Sequence, residues 1–533
     1  MKLWISLSPG KSISMSKKKK SSAIAFDESP DFDQISYYFN NTEAKEGEHQ
    51  ISARFQNDID FRDVFERIDY TESNPGKQYL YYRLLTHTDI NSFEDQEKWI
   101  KYMSENSGSE DRIASSLSLL DAHEAFYIAR LFLDLSVIRP FYYKWLRILS
   151  LLPLTMAVAA FWNPMLLFFL MPLLIINLLI HYHNKNLLNV YQFSIPQLPL
   201  LMKCVRGLLA FDKEEQNQQV YQSLERLEKK RHKMSLFLFE SKSDDPLLSV
   251  LHTLAEYLKI FFLIEPVWAY DVLESLAENK ADTEVLFKYA GKLDSYLSVY
   301  RLRKNVSVNT IPQWSDKPEA HLSFTGLYHP LIGNCVANDL RDSGKSILLT
   351  GSNMAGKTSF IRSVAINVLL SRSLNFAFAE SITLSSFDVY SLIRVTDDLS
   401  QGASFFLEEV KGVKEMMDVA GDKSPKLFLM DELFKGTNTV ERIASAKAVL
   451  SYLVNNPLNR VIISTHDIEL AGYLSDEYEL YHFSEEIKDD SIHFDYKLKK
   501  GVLTTRNAIK ILQLYNYPAS VVEEALDIAA ETN

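Results

Sequence analysis

The stretch SILLTGSNMAGKTSF, Ser346 to Phe360, decides the fold of this chain. A short apolar run of strand character ends at a glycine, and a loop with a second glycine follows. A helix is predicted from near Ser359. Gly351 to Thr358 matches G-x-x-x-x-G-K-[ST] at every fixed position, in the strand–loop–helix setting that the motif requires. Glycines let the backbone N–H groups wrap phosphates, and the helix N-terminus adds partial positive charge. The candidate nucleotide-binding residues are therefore Gly351, Ser352, Asn353, Met354, Ala355, Gly356, Lys357, Thr358 and Ser359. Lys357 is expected to reach the β- and γ-phosphates, and the Thr358 hydroxyl to be a Mg2+ ligand.

Outward from this stretch, two more apolar runs of strand length end in polar residues. KLFLM (426–430) runs into Asp431-Glu432, and RVIIS (460–464) runs into Thr465-His466-Asp467. Strands that alternate with helices argue for a largely parallel sheet with helices on its faces. Such sheets place ligands beyond the carboxyl ends of their strands. Asp431 is then the second Mg2+ ligand, and Glu432 orients and activates the attacking water. His466 is positioned to hydrogen-bond the γ-phosphate or that water. The catalytic candidates are Glu432, His466 and Lys357.

Composition bounds the rest. The chain has 533 residues, which allows for about three to five domains. Apolar residues make up 47% and charged residues 24%, so the chain reads as globular. Its two cysteines, Cys204 and Cys335, exclude a disulfide framework and a cysteine-based metal site, and fit a reducing compartment. With 57 basic against 69 acidic residues the net charge is −12, so contact with nucleic acid has to be local.

Charge is distributed unevenly. Between Arg147 and Lys185 no Asp, Glu, Lys or Arg interrupts ILSLLPLTMAVAAFWNPMLLFFLMPLLIINLLIHYHN. A membrane span needs about 20 apolar residues, and Asn163-Pro164 is a turn signal near the middle. The stretch reads as a helical hairpin inserted in a membrane, with Lys144, Arg147 and Lys185 holding both ends on the cytoplasmic side. Tyr143, Trp145, Trp162 and Tyr182 would sit at the interfaces. The first arm, Ile148 to Trp162, is short for a full span, and a hairpin buried in a soluble core is the alternative. Residues 61–135 and 186–305 carry helical periodicity, with ESNPGK (72–77) read as a turn between two helices. The polar N-terminus, with Lys17 to Lys20, reads as a disordered tail. The basic cluster Lys229, Lys230, Arg231 and Lys233 reads as a solvated helix face.

From His329 to His466 the order of motifs resembles the ATPase domain of the MutS mismatch-repair family, an ABC-type ATPase. That order is His329-Pro330, Asn338-Asp339, the phosphate loop with Asn353-Met354, Asp397-Asp398-Leu399, Gly402 to Phe406 with Glu409, Asp431-Glu432-Leu433, Gly436 to Thr439, and Thr465-His466. The resemblance implies ATP with Mg2+ as the bound nucleotide. It also implies that Ser404 completes the partner subunit's nucleotide site and that Gly436–Thr439 passes information between the two sites. Residues 499–526 are similar to the family's C-terminal helix-turn-helix, which packs against the partner. Residues near 61–87 resemble the start of its helical core. Departures are Ala355 for glycine, Thr358 for serine, Phe405 for threonine, Lys435 for arginine, and Cys335 where many relatives carry an aromatic. The N-terminal portion is too short for the family's mismatch-reading domain.

The resulting expectation is an α/β ABC-type P-loop ATPase domain joined to an all-α core and lever region that carries the apolar hairpin. The expected divisions are a tail over 1–55, helical core over 56–140, hairpin over 141–185, helical core and lever over 186–310, ATPase over 311–498, and a C-terminal dimer contact over 499–533. The function implied is ATP hydrolysis at a homodimer interface, coupled to movement of helical arms on the cytoplasmic side of the inner membrane. DNA binding, if present, would lack mismatch specificity. The alternatives are a soluble, cytoplasmic DNA-repair ATPase and a nucleotide-gated scaffold.

Overall fold

The computed structural model of the chain describes residues 31–43, 49–86, 93–135, 141–211, 217–230, 257–351, 355–394, 405–488, 491–503, 509, 512–513, 515 and 517–531. Ser352, Asn353, Met354 and Ser404, like Lys17–Lys20 and Arg231–Lys233, lie outside the described residues.

The apolar runs form the predicted strands. Among the described residues a sheet has the order β12-β9-β4-β8-β7-β6. Its strands are β4 (Ser346–Thr350), β6 (Asp388–Leu392), β7 (Lys426–Asp431), β8 (Asn459–Ser464), β9 (Tyr478–His482) and β12 (Lys499–Lys500). All pairings are parallel except that of the edge strand β12. β12 lies just past the expected end of the ATPase part at 498, because Lys499 pairs with His482 at the sheet edge. A second sheet, β1-β5-β2-β3, combines β1 (Gln313–Trp314), β2 (Leu322–Leu327), β3 (Asn338–Leu340) and β5 (Ser381–Leu384). A ribbon of β10 (Glu485–Lys488) and β11 (Ser491–Phe494) stands apart.

The N-terminal helices are α1 (Phe32–Asn41), α2 (Ala53–Asp58), α3 (Phe61–Ile68), α4 (Asn74–Leu85), α5 (Phe93–Glu105), α6 (Ser109–Leu117) and α7 (Arg130–Leu133). Next come α8 (Tyr143–Ala159), α9 (Leu166–Gln192), α10 (Gln197–Leu209), α11 (Gln218–Lys229), α12 (Ile264–Ala277) and α13 (Lys280–Asn305). Around the parallel sheet lie α14 (Lys357–Leu374), α15 (Phe405–Val419), α16 (Thr439–Val454) and α17 (Ile468–Leu474). Near the C-terminus is α18 (Ala519–Glu531).

Two expectations need correction. The tail expected over 1–55 is helical at Phe32–Asn41, because Ile35 and Tyr38 are buried against the helical core and Asp31 caps the helix through Gln34 N. The ESNPGK segment does separate α3 from α4, but only Glu72 and Ser73 of it lie outside a helix, and Asn74 to Lys77 already form the first turn of α4. Ser73 caps α4 by accepting from Gly76 N, and Pro75 occupies the first turn, where its missing N–H removes nothing. The buried Asp294 of α13 accepts from Glu72 N, Ser73 N and Ser73 Oγ. A Cβ on Gly76 would collide with that carboxylate, so only glycine admits this approach.

One core joins α2–α4 to the sheet, uniting Phe55, Phe65 and Leu84 with Phe360, Phe376 and Ile462. Another fills the helical part around Phe287 and Leu297. A third packs α15, α16 and α17 on the other sheet face through Val413, Leu450 and Leu474. The uncharged arms of the hairpin, Ile148 to Asn184, enter none of these. Phe161, Trp162 and Phe168 are 82–88% exposed. These arms are not buried in a core among the described residues. Among the described residues one helix, over Leu166–Asn184, is long and apolar enough to cross a membrane. The arm α8 has 17 residues and contains Pro153.

Candidate functional site

Strand register assembles the site. Leu349 pairs with Ser464, and Ser464 pairs with Asp431, so the carboxyl ends of β4, β8 and β7 lie level. The chain leaves β4 at Gly351, β7 at Glu432 and β8 at His466, and three distant segments therefore meet at one edge. Gly351 has φ +133°, and a Cβ there would strike the carbonyl of Phe483. Gly356 has φ +103° directly before α14, which begins at Lys357, two residues earlier than predicted.

Lys357 is fully buried, donates to the Gly351 carbonyl and lies 3.4 Å from His466 Nε2. Burial lowers its pKa to about 8, against the opposing pull of Asp431 and Glu432. The Thr358 hydroxyl donates to Asp431 Oδ2 at 2.6 Å, and Ser464 Oγ donates to the other carboxylate oxygen. Glu432 Oε1 lies 3.0 Å from His466 Nε2, and Oε2 lies 3.3 Å from Lys435 Nζ. Burial raises the Glu432 pKa, but the contacts with His466 and Lys435 outweigh it and hold the group at about 2. Of the predicted residues, Gly351, Ala355, Gly356, Lys357, Thr358, Ser359, Asp431, Glu432 and His466 stand around this edge, with Ser359 turned to solvent.

Glu432 and Phe434 both have left-handed backbones, φ 57° and 61°, in the loop after β7. Strain of this kind persists only where neighbours fix it. Here the buried Glu409 of α15 accepts from Phe434 N, and burial raises its pKa. A Cβ on Gly436 would come within 2.9 Å of Phe406 Cβ, so the Gly436–Thr439 loop lies against the start of α15.

Two residues escaped the sequence reading. Arg442 of α16 holds Asp467 through paired bonds of 2.9 and 2.7 Å, fixing the loop that carries His466. Tyr496, φ 53°, sets its ring edge 3.1 Å from where a Gly356 Cβ would be, and its carbonyl accepts from Asn338 Nδ2 at 3.0 Å. No local pattern marks either, because each acts through a residue far away in sequence. Cys335 stays in its own loop, where it accepts from His329 N.

Residues 347–533 match the family described as MutS domain V. Over these residues the chain is similar to the MutS family. The DNA mismatch repair protein MutS of Oceanobacillus iheyensis is 28% identical over 273 residues, covering 49% of this chain and 31% of that relative. The DNA mismatch repair protein MSH3 of Coccidioides immitis is 32% identical over 236 residues, covering 41% of this chain and 21% of that relative. The chain thus spans about a third and a fifth of these two relatives. The MutS domain V match begins one residue into β4 and takes in the whole edge described above.

Proposed function

We propose that this chain is a MutS-type ATPase that binds ATP with Mg2+, hydrolyses it between two copies of itself, and is tethered to a membrane by the α8–α9 hairpin. The observation that carries the reading is the contact of Thr358 with Asp431 across the strand edge, beside Lys357, inside a MutS domain V. A hydroxyl and a carboxylate are the hard oxygen donors that Mg2+ takes, with nucleotide oxygens and water completing its shell. Among the described residues no group of three or more His, Cys, Asp or Glu side chains could hold a metal. When bound, Mg2+ would neutralise charge building on the phosphates.

Each side chain then has a task. The Lys357 ammonium leaves the Gly351 carbonyl for phosphate oxygens. Glu432, ionised at neutral pH, accepts a proton from the attacking water, and His466 orients either that water or the terminal phosphate. Tyr496, beside Gly356, is suited to stack on the adenine. Ser404 reaches the partner's nucleotide, and the Glu409–Phe434 bond couples that loop to Glu432. Residues 499–533 add to the dimer contact. A membrane-facing hairpin is supported by its exposed apolar length and by Lys144 and Arg147 at its base, and places the ATPase on the cytoplasmic side.

The relatives' names bring DNA into the proposal as a ligand of the helical part. With a net charge of −12 that binding would be local and salt-sensitive. Equal affinity for matched and mismatched duplex at one salt concentration is expected. A tenfold preference for the mismatch, about 1.4 kcal/mol, would refute it.

Lys357→Ala should lower ATP affinity at least about a hundredfold, whereas Glu432→Gln should bind ATP and stall. Nucleotide binding by equilibrium dialysis and phosphate release by the same preparations test this. Wild-type turnover in both variants would overturn the site.

A further inference from the structure

The long arm of the hairpin carries a polar stripe. Asn177, His181 and Asn184 recur at the spacing of one helical face and are at most 2% exposed, although the arm around them is uncharged and largely exposed. Asn177 Nδ2 donates to the carbonyl of Leu149 in α8 at 3.2 Å and to that of Phe261 at 2.7 Å. Asn184 Oδ1 accepts from the Tyr270 hydroxyl of α12 at 2.9 Å. Leu263 and Tyr270 share a small apolar core with Tyr143 and Leu146, separate from the main cores. The stripe therefore faces a third element, residues 257–270, as well as α8.

That element is broken. Its first part is helical through Phe261, Leu263 is left-handed with φ 47°, and α12 begins at Ile264. Pro266 offers no N–H to the carbonyl four residues before it. Open backbone groups at a break are tolerable in a bilayer only where protein satisfies them, and the Asn177 amide does so for Phe261.

Two contacts tie the third element to the hairpin. Arg147, at the charged end of α8, pairs with Asp271 at 2.8 and 3.0 Å, so α12 meets the hairpin's boundary plane at Asp271. Asn177 precedes Lys185, the boundary of α9, by about 12 Å of helix at 1.5 Å per residue. Phe261 therefore meets the uncharged stretch at Asn177, eight residues before Lys185, and beside Leu149, two residues past Arg147. Tyr257, Leu258 and Ile264 are half-exposed, as are many apolar residues of α8 and α9. Lys259 lies on this element and is partnered, which lowers the cost of about 3 kcal/mol for an isolated cation in a membrane span.

We infer that residues 257–270 form a third membrane-embedded element, latched to the hairpin by Asn177, with lipid acyl chains covering Tyr257, Leu258 and Ile264. The inference rests on the membrane reading of the hairpin. It gives the bilayer a second connection to the ATPase. α12 leads into α13, whose Arg303 donates to the Asn375 carbonyl at the end of α14 at 2.8 Å.

The test uses the full chain reconstituted in phosphatidylcholine–phosphatidylglycerol vesicles, with Cys335→Ser to remove the accessible thiol. Cys204 is buried, and burial raises its pKa well above the thiol range, so it stays unreactive. A nitroxide is attached at Leu258→Cys or, as a water-exposed reference, at Val440→Cys on α16. The ratio of collision rates with oxygen and with a water-soluble nickel chelate is expected to be at least tenfold higher at 258 than at 440. Adding Asn177→Leu should lower that ratio several-fold while the protein still floats with the vesicles. Equal ratios at 258 and 440 in floating protein would overturn the third element and leave the hairpin standing. An unchanged ratio in Asn177→Leu would overturn the latch. Failure to float at all would overturn the hairpin reading, and this inference with it.

Discussion

The helix after the phosphate loop, α14, and the hairpin arm α9 teach opposite lessons about apolar sequence. α14 mixes Lys357, Arg362, Arg372 and several serines with its aliphatic residues, yet nearly all of it is buried between the sheet and α4. α9 is far more apolar, yet Met171 and Leu179 are each 66% exposed. Burial is decided by the partners a helix finds, not by its own hydrophobicity. α14 has strands on one side and the N-terminal helices on the other, so its polar groups must be paired inside. Asn367 donates to Tyr328 O and Ser363 O, and Arg372 donates to Phe387 O. Among the described residues the apolar part of α9 meets α8, Phe261 and α12 along one stripe, and much of its remaining surface is exposed.

The contrast can be broken most directly by removing the bare helices. Deleting residues 148–182 and joining the flanks with a short polar linker should move most of the protein from the membrane pellet to the soluble fraction. ATP binding should persist, since among the described residues the hydrogen bonds that Arg147, Asn177 and Asn184 make outside the hairpin run to residues 261–271 and not to the strand edge. Carbonate washing that already strips the intact protein from membranes would remove the basis of this expectation.

Single side chains sharpen the same contrast. Leu369→Ala in α14 should cost about 2–5 kcal/mol, because the cavity it leaves lies in close-packed core. Leu167→Ala in α9 should change stability in detergent by less than about 0.5 kcal/mol, as a surface substitution does. Urea unfolding followed by circular dichroism measures both. Similar losses at the two positions would mean that α9 packs in protein after all.

The smallest effect concerns the buried start of α14. Burial holds the Lys357 ammonium at a pKa of about 8, below its ordinary value. The charged form pays for that burial, so folding stability attributable to Lys357 rises as pH climbs from about 8 towards the unfolded value. ATP needs the charged form, so binding takes up a proton above pH 8. The apparent Kd should weaken about tenfold from pH 7 to pH 9. Glu432, held near 2, stays ionised throughout this window. Calorimetry in buffers of different ionisation heat would detect the proton uptake, and a flat Kd would count against Lys357 as the phosphate partner.

Much of this molecule was legible in order of sequence. The phosphate-loop motif, the runs ending at Asp431 and at Ser464, and the uncharged stretch from Ile148 to Asn184 are local patterns. Strand propensity, glycine freedom and absence of charge act over a few residues, so their consequences can be read before folding. The length of the apolar stretch was equally plain, and so was its turn at Asn163-Pro164. Tertiary structure alone decided that Leu349, Ser464 and Asp431 stand level, that Tyr496 leans on Gly356, and that Arg442 steadies the His466 loop. It also decided that Phe32–Asn41 folds although its neighbours in sequence are polar, and that Asn177 meets Phe261. The reason is physical. Each of these depends on a contact between residues far apart in the chain, and such contacts are selected by shape and pairing in the packed state, which no short window of sequence contains.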